Sequence, residues 1–117
     1  MRYRFGSFEF DEDRRLLLDR GAPVSAGQLL LDLLAYLLHN RSRVVSKPEL
    51  QKALWKGRSI SASTIPTAIN ALRSCLRDSA GDPVVIQTVY GRGYRWLVRV
   101  EEIPIERVGV ELYLIDS

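Results

Sequence analysis

Residues 61–77 read SASTIPTAINALRSCLR, and their spacing is that of an amphipathic helix. At about 100° per residue, four apolar side chains recur on one side at i, i+4, i+7 and i+11. They are Ile65, Ile69, Leu72 and Leu76. The other side carries only short side chains, which are Ser63, Thr64, Thr67, Asn70, Ala71 and Ser74. The pattern predicts a helix that packs on a core through one face.

The second face of this helix lacks the long Glu and Lys side chains that a solvated helix usually exposes. Short hydroxyl, amide and methyl groups let a helix backbone approach another molecule closely, as insertion into the DNA major groove requires. The alternative is a half-buried helix whose second face packs on another element of the same domain. Residues 61–77 alone do not decide between these interpretations.

Pro66 limits where the helix begins. With Ser63 as N-cap, the proline falls at the third helical position, where its missing N–H removes no hydrogen bond. With Ser61 as N-cap, the proline would lie a full turn inside the helix and would remove one. We therefore predict Ser63 as the N-cap and a helix that runs to about Arg77.

The composition indicates one globular domain that needs no disulfide, metal or cofactor. The chain has 117 residues, one cysteine (Cys75) and one histidine (His39), too few for an internal disulfide, a catalytic triad or a zinc site of the usual ligands. We therefore expect no enzyme. The most apolar run, residues 29–38, is short and contains Asp32, and the N-terminus lacks a secretory pattern. We expect no membrane segment and a cytoplasmic protein.

Charge divides the chain into a basic body and an acidic end. Residues 1–100 carry a net charge of +7, whereas residues 101–117 carry −4. A basic body suits a polyanionic partner. We predict a domain over 1–100 and an acidic extension over 101–117. The extension is an extra strand or a linker, because Val108, Val110, Leu112 and Leu114 alternate.

Short strands are predicted before the first helix. Aromatic residues alternate on both sides of Gly6-Ser7, which indicates two strands joined by a tight turn. Asp19-Arg20-Gly21 is typical of a second turn. Two further helices are then predicted from capping boxes, Ser25 with Gln28 and Ser46 with Glu49. The first ends near Asn40 and the second near Trp55.

After the third helix, two runs rich in β-branched and aromatic residues flank the sequence Tyr90-Gly-Arg-Gly93. They span residues 84–89 and 94–98 and predict a β-hairpin with Arg92 at its tip. Taken alone, this pattern also fits an ordinary hairpin with a flexible turn. Three helices between an N-terminal sheet and a C-terminal hairpin are the layout of a winged helix.

The chain resembles the winged-helix effector domain of OmpR/PhoB-type bacterial transcription regulators, which include phosphorelay response regulators. The matching segments are YRFGSFEF, RGAPV, LLDLLAYLLHNRSRVVSKPELQKALW, AINALRSCLRD and VVIQTVYGRGYRWLV. They cover residues 1 to about 100, and the run over 87–96 is the most specific. The resemblance implies an α+β fold, a winged helix-turn-helix with a three-helix core, an N-terminal antiparallel sheet and a hairpin wing.

In that family the third helix lies in the major groove and the wing enters the adjacent minor groove. The resemblance implies a recognition helix over 63–77 and a wing over 85–98. On the helix, the implied contacts to bases or nearby backbone are Ser63, Thr64, Thr67, Ala68, Asn70 and Ala71, with Arg73 on a phosphate. In the wing they are Thr88, Tyr90, Gly91 and Arg92, with Arg92 inserted into the minor groove. Ser46 and Lys47 could bind a further phosphate.

The resemblance implies sequence-specific binding to double-stranded DNA in transcription, with RNA polymerase as a further candidate partner and a weak or DNA-induced homodimer. We expect the module's own first strand to be the start of the chain, without a preceding receiver domain. This order resembles regulators whose N-terminal winged helix is followed by a sensory or membrane part.

One departure from the family supports an alternative function. Relatives usually carry several Arg or Lys on the exposed face of the recognition helix, where this chain has Thr67, Asn70 and Ala71. A winged helix that binds a protein instead of DNA is therefore the alternative. The sequence offers no candidate set of catalytic residues for an enzyme, since the acidic residues 11–13 look like a solvated turn.

Overall fold

The computed structural model describes residues 1–104, so the alternating residues over 108–114 lie outside the described part. Among these residues two compact units are present: residues 1–24 with 99–104, and residues 25–98. The elements are β1 (Arg2–Phe5), β2 (Phe8–Asp11), β3 (Leu16–Asp19), β4 (Ala22–Pro23), α1 (Gln28–His39), α2 (Lys47–Leu54), α3 (Thr64–Cys75), β5 (Ile86–Val89), β6 (Gly93–Trp96) and β7 (Glu101–Ile103). This order confirms the predicted α+β layout.

The first unit contains a five-stranded antiparallel sheet in the order β4-β3-β2-β1-β7. Both predicted hairpins are confirmed. Phe5 pairs with Phe8 and Tyr3 with Phe10 across the first turn, with ring centroids 5.8 and 6.5 Å apart. All four rings are buried, so the alternating aromatic residues form one apolar face of the sheet.

The first residues of the acidic segment belong to this sheet. β7 pairs with β1, which places Glu101 opposite Arg4 and Glu102 opposite Tyr3. Arg4 also donates to the carboxylate of Glu9, at 2.9 Å, from the other neighbouring strand. Arg4 thus lies between Glu9 on β2 and Glu101 on β7. This arrangement favours the observed register, since opposite charges on paired strands attract.

The helix α1 begins later than predicted, and the capping box of Ser25 with Gln28 is wrong. The N-cap is Gly27, with extended backbone and no side-chain cap bond, and Gln28 is the first helical residue. The Gln28 side chain donates to Asp32 at 3.3 Å, along the helix, instead of reaching back. Glycine is tolerated as an N-cap, so the chain needs no serine there. The predicted end at Asn40 is confirmed.

The helix α2 begins as predicted. The Ser46 hydroxyl accepts a hydrogen bond from the Glu49 backbone N–H at 3.2 Å, and Pro48 lies in the first turn. The C-cap is Trp55. The capping box at this position therefore defines the start of the helix.

The helix α3 confirms Ser63 at the N-cap position and Pro66 as third helical residue, although the Ser63 side chain makes no cap bond. Its last helical residue is Cys75, two residues before the predicted end. Arg77 there adopts a left-handed φ of 54°, and the Asp78 N–H donates to the Arg73 carbonyl at 2.8 Å. This is a Schellman-type ending with arginine in place of the usual glycine.

The hairpin of β5 and β6 is anchored at its base to the segment before α2. Val45 and Tyr94 exchange two backbone hydrogen bonds of 2.8 and 2.9 Å. Gly93 makes this approach possible, because its φ is 142° and a Cβ there would lie 2.0 Å from the Val45 carbonyl oxygen. Gly91 also has a left-handed φ, 75°, but a Cβ there would meet no atom within 4 Å.

We predict that Gly93→Ala destabilises the protein by about 3 kcal/mol or more, because backbone strain and a clash with backbone atoms add together. Gly91→Ala is the matched control and should cost about 1 kcal/mol from its φ alone. Urea unfolding of both variants measures the difference. Equal losses would show that the hairpin does not depend on its contact with Val45.

Candidate nucleic-acid interface

The second face of α3 is open to solvent. Ser63, Thr67, Asn70 and Ser74 are exposed at helical spacing, while Thr64 and Ala71 are half-buried. The four apolar residues of the opposite stripe are buried. Among residues 1–104 no element covers the exposed face, so the interpretation of α3 as a helix packed on both sides is wrong.

Ala68 does not belong to the exposed face, and its assignment to bases is wrong. The residue is only 7% exposed. It follows Ile65 by three positions and precedes Leu72 by four, which places it within the apolar stripe. Its methyl group therefore contributes to the core.

Arg73 is also buried, with 5% of its surface exposed, so the expected contact of its side chain with a phosphate is wrong. Nε and Nη2 donate to the Ile86 carbonyl oxygen at 3.2 and 2.8 Å. Nη2 also donates to the Thr88 hydroxyl at 3.0 Å, and Nη1 donates to Asn70 Oδ1 at 2.9 Å. The guanidinium thus ties α3 to β5 instead of extending toward solvent.

Asp78 balances the charge of this buried guanidinium. Its side chain is fully buried, and Oδ2 lies 3.9 Å from Arg73 Nε. The two carboxylate oxygens accept backbone N–H bonds from Val84 and Ile86 at 2.8 and 2.9 Å. Burial raises the pKa of Asp78, but the backbone N–H bonds outweigh it, so the pKa lies below its usual value. The Asp78 carboxylate therefore stays ionised.

The tip of the hairpin projects into solvent. Tyr90 is 92% exposed, and Gly91 and Arg92 are exposed as well. The Arg92 backbone N–H donates to the Val89 carbonyl at 2.9 Å and closes the turn. The Arg92 side chain has no ion-pair partner in the described part of the chain. Its charge is available to a ligand.

A cleft of about 480 Å³ lies between the start of α2, the exposed face of α3 and the hairpin. It brings together seven of the residues expected to bind DNA: Lys47, Asn70, Arg73, Thr88, Tyr90, Gly91 and Arg92. Ser63, Thr64, Thr67 and Ala71 lie on α3 outside the cleft lining, and the Ser46 hydroxyl accepts the α2 cap bond.

Sequence patterns did not identify some residues of the cleft wall. Pro48, Pro66 and Ala80 line it together with the two aromatic or apolar hairpin residues Val89 and Tyr94. The sequence indicates for Pro66 only a position near the start of α3, and Ala80 lies in an irregular loop. No local pattern indicates that such residues face a common cleft.

An ionic cluster fixes the turn before α2. Glu49 accepts hydrogen bonds from the Tyr36 hydroxyl at 2.6 Å and from Arg43 Nη1 at 2.8 Å. Arg43 Nη2 also donates to the Glu49 carboxylate. The Arg43 guanidinium is the main reason that the pKa of Glu49 falls from 4.5 to about 2, and the Tyr36 hydroxyl adds to it. The same hydrogen bond raises the pKa of Tyr36. Lys47, next to this cluster, remains an exposed cation at the helix start.

The two tryptophans differ in burial. Trp96 is 4% exposed and its indole N–H donates to the Val98 carbonyl at 2.7 Å, whereas Trp55 is half-buried.

Within residues 1–104, no group of three or more potential ligand side chains could hold a metal ion. In the same residues, none of the helices is both long and apolar enough to span a bilayer.

The sequence matches the protein family described as Transcriptional regulatory protein, C terminal, over residues 21–96. It is 30% identical to the cholera toxin transcriptional activator of Vibrio cholerae over 104 residues, which are 85% of this chain and 35% of that protein. It is 29% identical to the sensory transduction protein RegX3 of Mycolicibacterium smegmatis over 91 residues, 77% of this chain and 40% of that protein. The chain thus spans two fifths or less of these regulators.

Solved structures of DNA-binding domains share the fold. The RstA DNA-binding domain of Klebsiella pneumoniae, in complex with the RstA box, has a TM-score of 0.75 and 28% identity, covering 82% of this chain and 96% of that one. The DNA-binding domain of E. coli CadC has a TM-score of 0.74 and 25% identity, covering 87% of this chain and 96% of that one. The predicted winged helix is thereby confirmed.

We predict that Arg73→Ala lowers the free energy of unfolding by about 3–5 kcal/mol, because it leaves the buried Asp78 carboxylate without its cation. Arg92→Ala is the control, since it removes an exposed cation and should leave stability within about 0.5 kcal/mol of the parent. Denaturant unfolding compares the two. Equal stability of both variants would refute the structural role of Arg73.

We predict an acid-dependent contribution from Glu49. Because its pKa is lowered in the folded protein, its stabilising effect is complete above about pH 4.5 and is lost as the pH falls toward 2. The stability difference between the parent and Glu49→Gln should therefore be largest near neutral pH and vanish near pH 2. When Glu49→Gln is made in a protein that already carries Arg43→Ala, the stability difference that it causes should be smaller. Thermal unfolding across pH 2–7 measures both, and a pH-independent difference would contradict the argument.

Proposed function

Because the chain belongs to the family described as Transcriptional regulatory protein, C terminal, which confirms the resemblance to OmpR/PhoB-type domains, we propose that it binds double-stranded DNA sequence-specifically. It does so as the DNA-binding module of a transcriptional regulator. The observation that carries this proposal is the uncovered face of α3 beside a hairpin whose tip exposes a guanidinium.

The exposed face of α3 is the part that enters the major groove. That groove admits a helix, and hydroxyl and amide groups read its base edges. Thr67 and Asn70 are exposed along the middle of the face, and Ser63 and Ser74 lie toward its two ends. Thr64 and Ala71 are half-buried at its edges. We assign base contacts first to Thr67 and Asn70.

The hairpin supplies the second contact. Arg92, at the exposed tip, is the residue that we assign to the minor groove, because a narrow groove attracts guanidinium groups. Tyr90, Gly91 and Thr88 line the same cleft and suit contacts with the DNA backbone. The glycine leaves the backbone accessible to a phosphate beside the tip.

Lys47 and the N-terminus of α2 supply a phosphate contact on the opposite wall of the cleft. The Lys47 ammonium and the positive end of the α2 dipole favour an anion there, whereas Pro48 has no N–H and the Glu49 N–H already donates to Ser46. The Ser46 hydroxyl accepts the cap bond from Glu49, so its role there is to orient the helix start.

The shortage of cations on α3 supported the alternative of a protein-binding winged helix. Lys47 and Arg92 place cations on both neighbouring elements, where they reach phosphates without occupying the base-reading face. RNA polymerase as a partner, a weak or DNA-induced homodimer and a cytoplasmic location belong to the same proposal, as expected of a module that regulates transcription.

We predict that a duplex enriched from random DNA binds with strong salt dependence, since neutralised phosphates release counterions. Lys47→Ala and Arg92→Ala should each weaken binding and reduce the slope of log K against log salt by about 1, and Thr67→Ala should alter base preference. Fluorescence anisotropy at several salt concentrations measures this.

Lys52→Ala is the matched control, because this exposed lysine lies on α2 outside the cleft lining. Its salt slope should stay that of the parent. Binding that does not change with salt, or Lys47 and Arg92 variants that behave like the control, would exclude the proposed docking.

A further inference from the structure

The hairpin carries an arginine on the side that does not line the cleft. Tyr94 and Trp96 on β6 are buried, whereas Arg95 between them is exposed. Because successive side chains of a strand point to opposite faces, Arg95 projects away from the side on which Tyr94 lines the cleft. Its cross-strand partner Gln87 is exposed as well. We call Gln87 and Arg95 the outer face of the hairpin.

The outer face is positively charged and has no counter-charge of its own. Within residues 1–104, the Arg95 side chain has no hydrogen-bond or ion-pair partner. Residues 84–98 contain Arg92 and Arg95 but neither Asp nor Glu. The hairpin therefore presents one cation at its tip and another on its outer face. Such a surface suits a polyanion.

The position of the cleft decides which part of a duplex the outer face meets. The cleft lies between α3 and the hairpin, with Lys47 in its wall. In the proposed docking, α3 occupies the major groove and the tip occupies the adjacent minor groove, so the cleft holds the backbone that separates these two grooves. The outer face points away from that backbone. It therefore points toward the backbone on the far side of the minor groove.

The set-back of Arg95 from the tip matches the depth of the groove. Arg95 follows Arg92 by three residues, so its backbone lies at most about 10 Å behind the tip at about 3.3 Å per residue. A minor groove is about 7.5 Å deep. With the Arg92 guanidinium at the floor of the groove, Arg95 is set back far enough to lie level with the phosphates at the groove edge.

Resting on the proposed DNA-binding function, we propose that Arg95 binds a backbone phosphate across the minor groove from the strand that the cleft holds. Gln87, beside it, is a neutral hydrogen-bond donor to the same strand. The hairpin thus contacts both strands of the duplex, one through the cleft with Lys47 and the other through Arg95. A phosphate contact fixes the position of the protein and reads no base.

The experiment uses a duplex enriched from random DNA, in which each phosphate is replaced in turn by an uncharged methylphosphonate. One replacement should weaken binding of the parent protein about five-fold, as expected for loss of one hydrogen-bonded contact. The same replacement should have no further effect on Arg95→Gln. A second replacement should be coupled to Lys47→Ala in the same way. The two phosphates should belong to opposite strands, on the two sides of one minor groove.

A salt titration of the variants measures the charge contribution. Arg95→Gln should reduce the slope of log K against log salt by about 1 and leave the base preference of the parent unchanged. Arg95→Lys keeps the charge and should keep the slope. Lys52→Ala is the matched control, because it removes an exposed cation outside both the hairpin and the cleft lining. Its slope and its methylphosphonate effects should be those of the parent.

An Arg95→Gln variant with the parent salt slope, or coupling of Arg95 to a phosphate on the same strand as that of Lys47, overturns the inference. Weaker binding by Arg95→Gln only on duplexes that hold two copies of the protein assigns the outer face to a protein contact and also overturns it. Persisting effects of Lys47→Ala and Arg92→Ala leave the proposed function intact in these cases. Failure to enrich any sequence removes the proposed function, and the inference with it.

Discussion

The buried ion pair of Arg73 with Asp78 is the interaction on which the geometry of the interface depends. An unpaired charge in this position would be strongly unfavourable, so the two residues must stay together. Asp78 is placed by the ending of α3, where the left-handed Arg77 turns the chain and brings the Asp78 N–H to the Arg73 carbonyl. Its carboxylate then holds the backbone of β5 at Ile86. Helix end, loop and strand are coupled through one pair of charges.

A second constraint holds the other strand of the hairpin. The two backbone bonds between Val45 and Tyr94 attach β6 to the segment before α2, and Gly93 allows the close approach. Arg73 donates to the Ile86 carbonyl of β5, and Val45 is hydrogen-bonded to Tyr94 of β6. The base of the hairpin is therefore fixed on both strands. Within residues 1–104 the tip makes no such contact, and Tyr90 is almost fully exposed. A rigid base with a free tip lets the hairpin keep its place beside α3 while its end adapts to a ligand.

The sequence predicted the elements of this fold well where one periodic pattern decides them. The apolar stripe of α3, the alternating aromatics around Gly6 and the capping box at Ser46 each reflect a local rule that the structure obeys. The prediction of Ser25 as N-cap is wrong because Gly27, two residues later, can also be the N-cap of a helix, and the sequence alone does not choose between them.

The candidate site was less predictable, because its decisive contacts join residues that are distant in sequence. An arginine on the flank of an amphipathic helix is typical of a surface position. Its burial depends on a carbonyl group thirteen residues away, at Ile86, and a backbone carbonyl has no sequence signature. Ala68 was misplaced for a related reason: alanine fits both a core and a close-approach surface, so only the packing of α3 decides.

The same burial explains why a helix with few cations can still suit a polyanion. Phosphate contacts supply affinity without sequence information, whereas base contacts supply specificity. Here the exposed cations Lys47 and Arg92 lie on α2 and the hairpin, and α3 keeps short polar groups. Arg73 adds no exposed charge to α3, yet it orients Asn70. Affinity and specificity are thus assigned to different elements, and the buried arginine connects them.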